Sequence, residues 1–307
     1  MILVRLMGGL GNQMFQYAAA KAVAIRNNSE LIIDTTLLEI NEKNPNEVVT
    51  HRKLDLEIFN LDLIKASQKQ VEYFNGRTYR NLAGKVFNKL LFAFRKKNLI
   101  IEKNRSFSPE IIRLKDNKCL VGAWQSEMYF KDKKSEIKNE FTFKEPLLGI
   151  SKNIFDEIVA HNSICVNVRR GDYVTSPIYS KTLGALSADY YNNGIKYFEN
   201  KFNNPKVFVF SDDIVWCKNN LQSKIPILFV GHEHAGKKFG NYLQLMKLCN
   251  HFVIPNSTFG WWAAWLGEKD GTIVISPKDW VREIVLMPEN IIPDRWMKIE
   301  NDFVKID

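Results

Sequence analysis

Apolar residues along the chain fall into short continuous runs that alternate with stretches of helical spacing, a strand-and-helix rhythm. Ile2–Leu6 reads as a first strand, Met7–Gln13 as a glycine-rich turn, Met14–Ile25 as an Ala-rich helix and Leu31–Asp34 as a second strand. Residues 41–51 are polar and read as a loop. Leu82, Val86, Phe87, Leu90, Leu91 and Phe94 keep a helical period, with Lys85, Lys89, Arg95, Lys96 and Lys97 on or after it. That segment is either a core-facing helix with a solvated basic face or a helix that touches anionic membrane. Cys119–Trp124 is strand-like and ends in Gln125-Ser126-Glu127. The charged stretch Lys131–Lys144 closes at Pro146, which puts a domain boundary near 145–155.

The second half repeats the rhythm. Ile164–Val168 is β-branched and apolar, as a buried parallel strand reads, and a polar loop follows at 172–186. A helix is expected over Ser187–Lys201 with Ser187 as cap, and then a strand over Lys206–Phe210. Helix Ile214–Leu221, strand Ile227–Val230, helix Asn241–Asn250, strand His251–Ile254 and a last strand, Thr272–Ser276, complete it. The pattern predicts an α/β protein of two doubly wound domains, residues 1–150 and 151–307, with the last residues packing back on the first.

At 307 residues the chain has room for two domains, and its 45% hydrophobic and 25% charged composition is that of a globular protein. Four scattered cysteines form no Cys-x-x-Cys pair, which points away from zinc and disulfides and toward a reducing, cytoplasmic setting. No apolar run reaches membrane-span length. The net charge of +9 suggests an anionic partner. Nucleic acid is the weaker choice, because the Lys and Arg are dispersed and no base-reading motif is present.

Candidate chemistry sits at strand ends, where open α/β sheets bind ligands. Arg169-Arg170-Gly171-Asp172 follows the strand at 164–168. Its guanidinium forks match phosphate oxygens, and Asp172 can hold one arginine while the other faces a ligand. Ser211-Asp212-Asp213 offers carboxylates to a base or ribose, or merely caps the next helix. Asn256-Ser257-Thr258 opens a helix whose free N–H groups and positive end suit a phosphate. In the first half, Gly8-Gly9-Leu10-Gly11-Asn12-Gln13 fits neither the dinucleotide fingerprint nor the P-loop. Asn12 and Gln13 stand where amides can face a polar ligand, or Asn12 only caps the helix. The five histidines are scattered, no metal cluster is apparent, and Trp261, Trp262 and Trp265 read as core packing ahead of sugar stacking.

Taken together, Gly8–Tyr17, Trp124–Glu127, Val168–Tyr173, Phe210–Asp213 and Asn256–Leu266 resemble, in order, the motifs of the α1,2-fucosyltransferases. The resemblance spans nearly the whole chain. It implies a GT-B fold of two facing Rossmann-like domains, the C-terminal one binding GDP-fucose. It also implies inverting, metal-independent transfer to a galactoside or lipid-linked oligosaccharide, with no cofactor. By motif position, Arg169 would bind the donor β-phosphate with Arg170 in support, and Asp212, beside Ser211, would read guanine. Asn256, Ser257, Thr258 and Phe259 would surround the pyrophosphate. Gly9, Gly11, Asn12 and Gln13 would approach donor or acceptor from the other domain. The family commonly carries His where this chain has Asn167, an amide that can hydrogen-bond a nucleotide but cannot act as a base. Glu127, Asp34 and Asp172 are the candidate bases. The rival readings are an α1,6- or O-fucosyltransferase, which lacks the Asn256–Trp265 pattern, and a non-catalytic nucleotide-sugar or carbohydrate binder.

Overall fold

The computed structural model describes residues 1–43, 53–75, 98–147, 149, 151–283 and 288–305. The basic helix expected at 82–94 and most of the loop expected at 41–51 lie outside them. The chain divides into two compact units, one of Met1–Thr142 with Glu289–Ile291, the other of Phe143–Pro288 with Ile292–Asp307.

In the first unit, β1 (Ile2–Arg5) leads through a turn at Gly8 into α1 (Leu10–Arg26), and β2 (Leu31–Asp34) follows. Short helices α2 (Thr36–Lys43) and α3 (Gln68–Asn75) precede β3 (Leu99–Ile101) and β4 (Lys118–Val121), and α4 (Lys134–Glu140) ends the unit. The four strands are parallel in the order β2-β1-β4-β3. Helix α1 is buried around almost its whole circumference, because alanines let it lie close to the sheet.

The second unit opens with α5 (Ser151–Val159) and β5 (Asn162–Val168). The polar stretch expected as a loop holds two short helices, α6 (Gly171–Thr175) and α7 (Pro177–Thr182), the second started by Ser176 and Pro177. Then come α8 (Ala188–Phe198), β6 (Pro205–Ser211), α9 (Ile214–Asn220), β7 (Ile227–Val230), α10 (Gly240–Met246), β8 (His251–Val253), α11 (Thr258–Gly267) and β9 (Val274–Pro277). A final strand that the pattern had not suggested, β10 (Met297–Ile299), pairs in parallel with β9. The last residues therefore complete the second sheet, and Phe303 also bridges to Leu186.

The six strands are all parallel, in the order β10-β9-β8-β5-β6-β7. Side-chain alternation on β5 sends Ile164, Val166 and Val168 into one core layer with Tyr190, Tyr191, Ile195 and Phe198 of α8 and Cys217 of α9. Cys165 and Asn167 face the other layer. There α5 lies on β5, α10 packs between α5 and α11, and Trp261, Trp262 and Trp265 are fully buried. The tryptophans are core, as their spacing suggested.

His251 on β8 is 5% exposed, stacks on Phe202 at 4.2 Å, and accepts the Ile273 N–H at 3.1 Å through Nδ1. Burial first, and then the nearby Lys269 charge, push its pKa down from 6.5 to about 4. The unfolded chain thus binds a proton that the folded one refuses. The stability contributed by neutral His251 is present above pH 6.5 and drains away as pH falls toward 4. Urea melts should show about 2 kcal/mol lost between pH 7 and 5, and a flatter profile in His251→Gln. Equal pH slopes in the two proteins would refute this.

Candidate active site

The order of the second sheet creates a switch point. From β5 the chain winds outward through β6 and β7, then returns to β8 on the other side of β5. The carboxyl ends of β5 and β8 therefore stand side by side with their loops diverging, the crevice where open α/β sheets bind ligands. The residues delivered there are Arg169-Arg170-Gly171-Asp172 from β5 and Asn256-Ser257-Thr258 from β8.

Arg169 lies between two carboxylates. Its Nη2 donates to Asp172 Oδ1 at 2.5 Å, and its Nη1 lies 2.7 Å from Asp212 Oδ2, an ion pair and not an aligned hydrogen bond. Burial works against its charge, but Asp212 and Asp172 outweigh burial and raise its pKa. The side chain still keeps 30% exposure. Arg170 is packed away at 11% exposure, stacked 4.1 Å from the Trp216 ring, with Nε 3.3 Å from Asp213. Its Nη1 is buried without an acceptor. The Arg170 backbone N–H donates to Asp212 Oδ1 at 2.8 Å. Both Asp212 oxygens are thus turned onto the arginine motif, not outward to a base as the resemblance implied.

Asp213 caps α9 by accepting the Trp216 N–H at 3.0 Å, and Ser211 Oγ accepts the Asp213 N–H at 2.9 Å. Ser211 is 2% exposed and serves the turn. His232 Nε2 donates to its carbonyl at 2.9 Å.

On the β8 side, Ser257 caps α11, its Oγ accepting the Phe259 N–H at 3.4 Å. Thr258 and Phe259 are part-exposed at the positive helix end. Asn256, at 2% exposure, donates to the carbonyls of Leu183 and Gly184, so its side chain fastens the loop after α7 and does not line a crevice. Tyr173, the last residue of the arginine motif, ties the two loops together. Its hydroxyl donates to the Asn256 carbonyl at 3.3 Å, and Arg169 sits 5.5 Å from its ring centroid. Burial raises its pKa to about 12, so it remains a donor.

Asn167 is 7% exposed and donates to the Phe210 carbonyl at 3.0 Å. A Cβ built on Gly260 would lie 2.7 Å from its Oδ1. The residue expected to contact the nucleotide instead braces β5 against β6 and the first turn of α11.

In the first unit, Gly9 is the N-cap of α1 and no side chain caps the helix, so Asn12 is not its cap. Asn12 Oδ1 accepts from Gln125 Nε2 at 3.0 Å, which joins the glycine turn to Trp124-Gln125-Ser126-Glu127. Gln13 corrects an expectation. It is fully buried, donates to the carbonyls of Gly8 and Lys53 at 2.8 Å each, and accepts the Asp55 N–H at 2.9 Å. Gly11 is buried within α1. Gly9, Gly11 and Gln13 shape the turn, and Gln13 has no amide group left for a ligand. Of the candidate bases, Asp34 is withdrawn, 1% exposed, held by Arg5 Nε at 2.6 Å and by the N–H and hydroxyl of Thr36. Asp172 is paired with Arg169, and Glu127 is 6% exposed in a 3₁₀ turn. Among the described residues no group of three His, Cys, Asp or Glu side chains could hold a metal ion, and no helix is long and apolar enough to cross a membrane.

Two parallel α/β units, the second with an arginine-bearing strand end at its switch point, are the architecture of the GT-B class of glycosyltransferases. Residues 1–300 match the family glycosyl transferase family 11, and the chain belongs to that family. It is 33% identical to an α1,2-colitosyltransferase of Escherichia coli, over 97% of this chain and 99% of that one. It is 30% identical to the galactoside 2-α-L-fucosyltransferase SEC1 of Bos taurus, over 54% of this chain and 45% of that protein. Among solved structures, a mutant of Arabidopsis thaliana FUT1 in complex with GDP has the same fold, with a TM-score of 0.50 and 12% identity over 91% of this chain and 71% of that one.

Because Gln13 makes three internal hydrogen bonds, Gln13→Ala should lower unfolding stability by about 2–4 kcal/mol while leaving GDP affinity within twofold. Titration calorimetry beside thermal melts decides it. A stable variant that no longer binds nucleotide would restore Gln13 to the ligand site.

Proposed function

We propose that the protein transfers fucose from GDP-fucose to the 2-hydroxyl of a terminal galactoside, with inversion and without a metal. The observation that carries this reading is the Arg169 guanidinium, part-exposed and fixed at the β5–β8 switch point beside the N-terminus of α11. The motif order and the names of the family relatives support the donor and the linkage.

As the bond from the anomeric carbon to the β-phosphate oxygen breaks, negative charge grows on the leaving diphosphate. Donors already aimed at that charge lower the barrier most, each worth about 2.7–4 kcal/mol. Arg169 and the positive end of α11 supply that stabilisation, which is the work a divalent cation does elsewhere. The acceptor hydroxyl attacks from the face opposite the diphosphate and loses its proton late, so a weak base suffices. The galactoside, presented free or on a lipid-linked oligosaccharide, is the acceptor. The basic segment at 85–97 suits a peripheral approach to an anionic membrane.

The E. coli relative's name favours a second reading, in which the donor sugar is colitose, a fucose lacking one ring hydroxyl. Incubation of the protein with each GDP-sugar and a β-galactoside, with product linkage read by NMR, separates the two. An α1,2-linked fucosyl product confirms the first reading. Turnover with the colitose donor alone replaces it with the second, and turnover with neither overturns both.

Arg169→Ala should lower kcat by about 10²–10³ with an unchanged circular dichroism spectrum, and excess EDTA should leave the wild-type rate intact. Near-normal turnover of the variant, or EDTA inactivation reversed by Mn²⁺, would contradict the mechanism.

A further inference from the structure

We infer that Asp212 is a positioning residue for the diphosphate-binding arginine and does not read the base; this rests on the β5–β8 crevice being the donor site. Two contacts converge on its carboxylate, and a glycine leaves room for it. Oδ1 accepts the Arg170 backbone N–H at 2.8 Å, which fixes the turn leaving β5. Oδ2 faces Arg169 Nη1 at 2.7 Å. A Cβ on Gly171 would lie 2.5 Å from Oδ2, so the turn has been left bare at the one residue the carboxylate presses against.

Asp172 takes Arg169 from the other side, through Nη2. A hydrogen bond at Nη2 and an ion pair at Nη1 hold the guanidinium from two sides and leave N–H groups on Nε, Nη1 and Nη2 for an anion. An arginine held this way gives up little rotamer freedom when a diphosphate arrives.

The carboxylate also carries a cost, since its negative charge lies beside a site meant for a polyanion. The two effects have opposite signs, which makes the proposal testable. Asp212→Asn removes the charge but sets an amide donor against either Arg170 N–H or Arg169 Nη1. If aiming dominates, diphosphate binding weakens. If charge dominates, it tightens. A base reader predicts a third pattern, loss of the preference for GDP over ADP with phosphate affinity untouched.

The experiment is calorimetric binding of GDP, ADP and inorganic pyrophosphate to the wild type, Asp212→Asn and Gly171→Ala, with thermal melts of each. We expect Asp212→Asn to weaken all three ligands by the same factor, about tenfold, with the GDP-to-ADP ratio unchanged. Gly171→Ala, which displaces the same carboxylate without removing it, should reproduce that pattern. Tighter pyrophosphate binding by Asp212→Asn, a collapsed GDP-to-ADP ratio, or unchanged affinities in Gly171→Ala would each overturn the proposal. Failure of the donor-site reading shows elsewhere: Arg169→Ala would then bind GDP as the wild type does.

Discussion

Everything at the sheet switch point depends on keeping one half-buried positive charge in one place. A guanidinium at the end of a strand has many rotamers, and burial opposes its charge. Asp212 and Asp172 resolve both difficulties, holding Arg169 through two nitrogens and raising its pKa against the pull of burial. The consequences spread outward through short links. A side chain at Gly171, in the turn after β5, would press on the Asp212 carboxylate, and the glycine leaves that place to it. Tyr173 continues from that turn to the Asn256 carbonyl, and Asn256 reaches on to Leu183 and Gly184. The loops from β5, from β8 and after α7 are thereby joined into one scaffold.

Buried amides perform a similar task in the first unit with no charge at all. Gln13 spans the Gly8 turn and the strip Lys53–Asp55, and Gln16 exchanges two hydrogen bonds with the Met7 backbone. Both are fully buried on a helix that is otherwise nearly all apolar. A buried amide left without partners is costly, so a turn of any other shape would leave these groups unsatisfied. The glycine motif therefore specifies a backbone shape, and Asn12, joined to Gln125, is its part-exposed polar product.

The strands were readable because a parallel strand covered on both faces is a continuous apolar run, as in Ile164–Val168 and Lys206–Phe210. The strand-end motifs were readable because arginine pairs and helix caps are local. What escaped the sequence depended on partners far along the chain. Gln13 looks like a ligand residue until Lys53 and Asp55 come to it from forty residues away. Asp212 looks like a base reader until Arg169 and Arg170 fold onto it. Strand β10 is three residues long with a charged middle, and only its pairing with β9 makes it a strand. Helices α6 and α7 are too short and polar to show a period; Ser176-Pro177 was the available signal for α7, and α6 has no capping side chain.

The tryptophans of α11 contribute to the proposed chemistry without touching a substrate. A helix N-terminus stabilises growing negative charge only if its amides stay aimed, because reorienting them during the reaction would consume the advantage. Trp261, Trp262 and Trp265 bury one whole side of α11, with Trp261 also against Trp296, and Ser257 fixes its first turn. Asn167 completes the restraint from below, its Oδ1 lying against Gly260 while its Nδ2 is held by the Phe210 carbonyl. That placement also accounts for an amide at the position where the family resemblance leads one to expect an imidazole. The position holds two strands and a helix in register, which needs one donor and a compact shape. Being neutral at every pH, Asn167 leaves the field at the crevice to Arg169, its two aspartates and the helix end. Any proton the acceptor gives up must then leave by a group outside this brace.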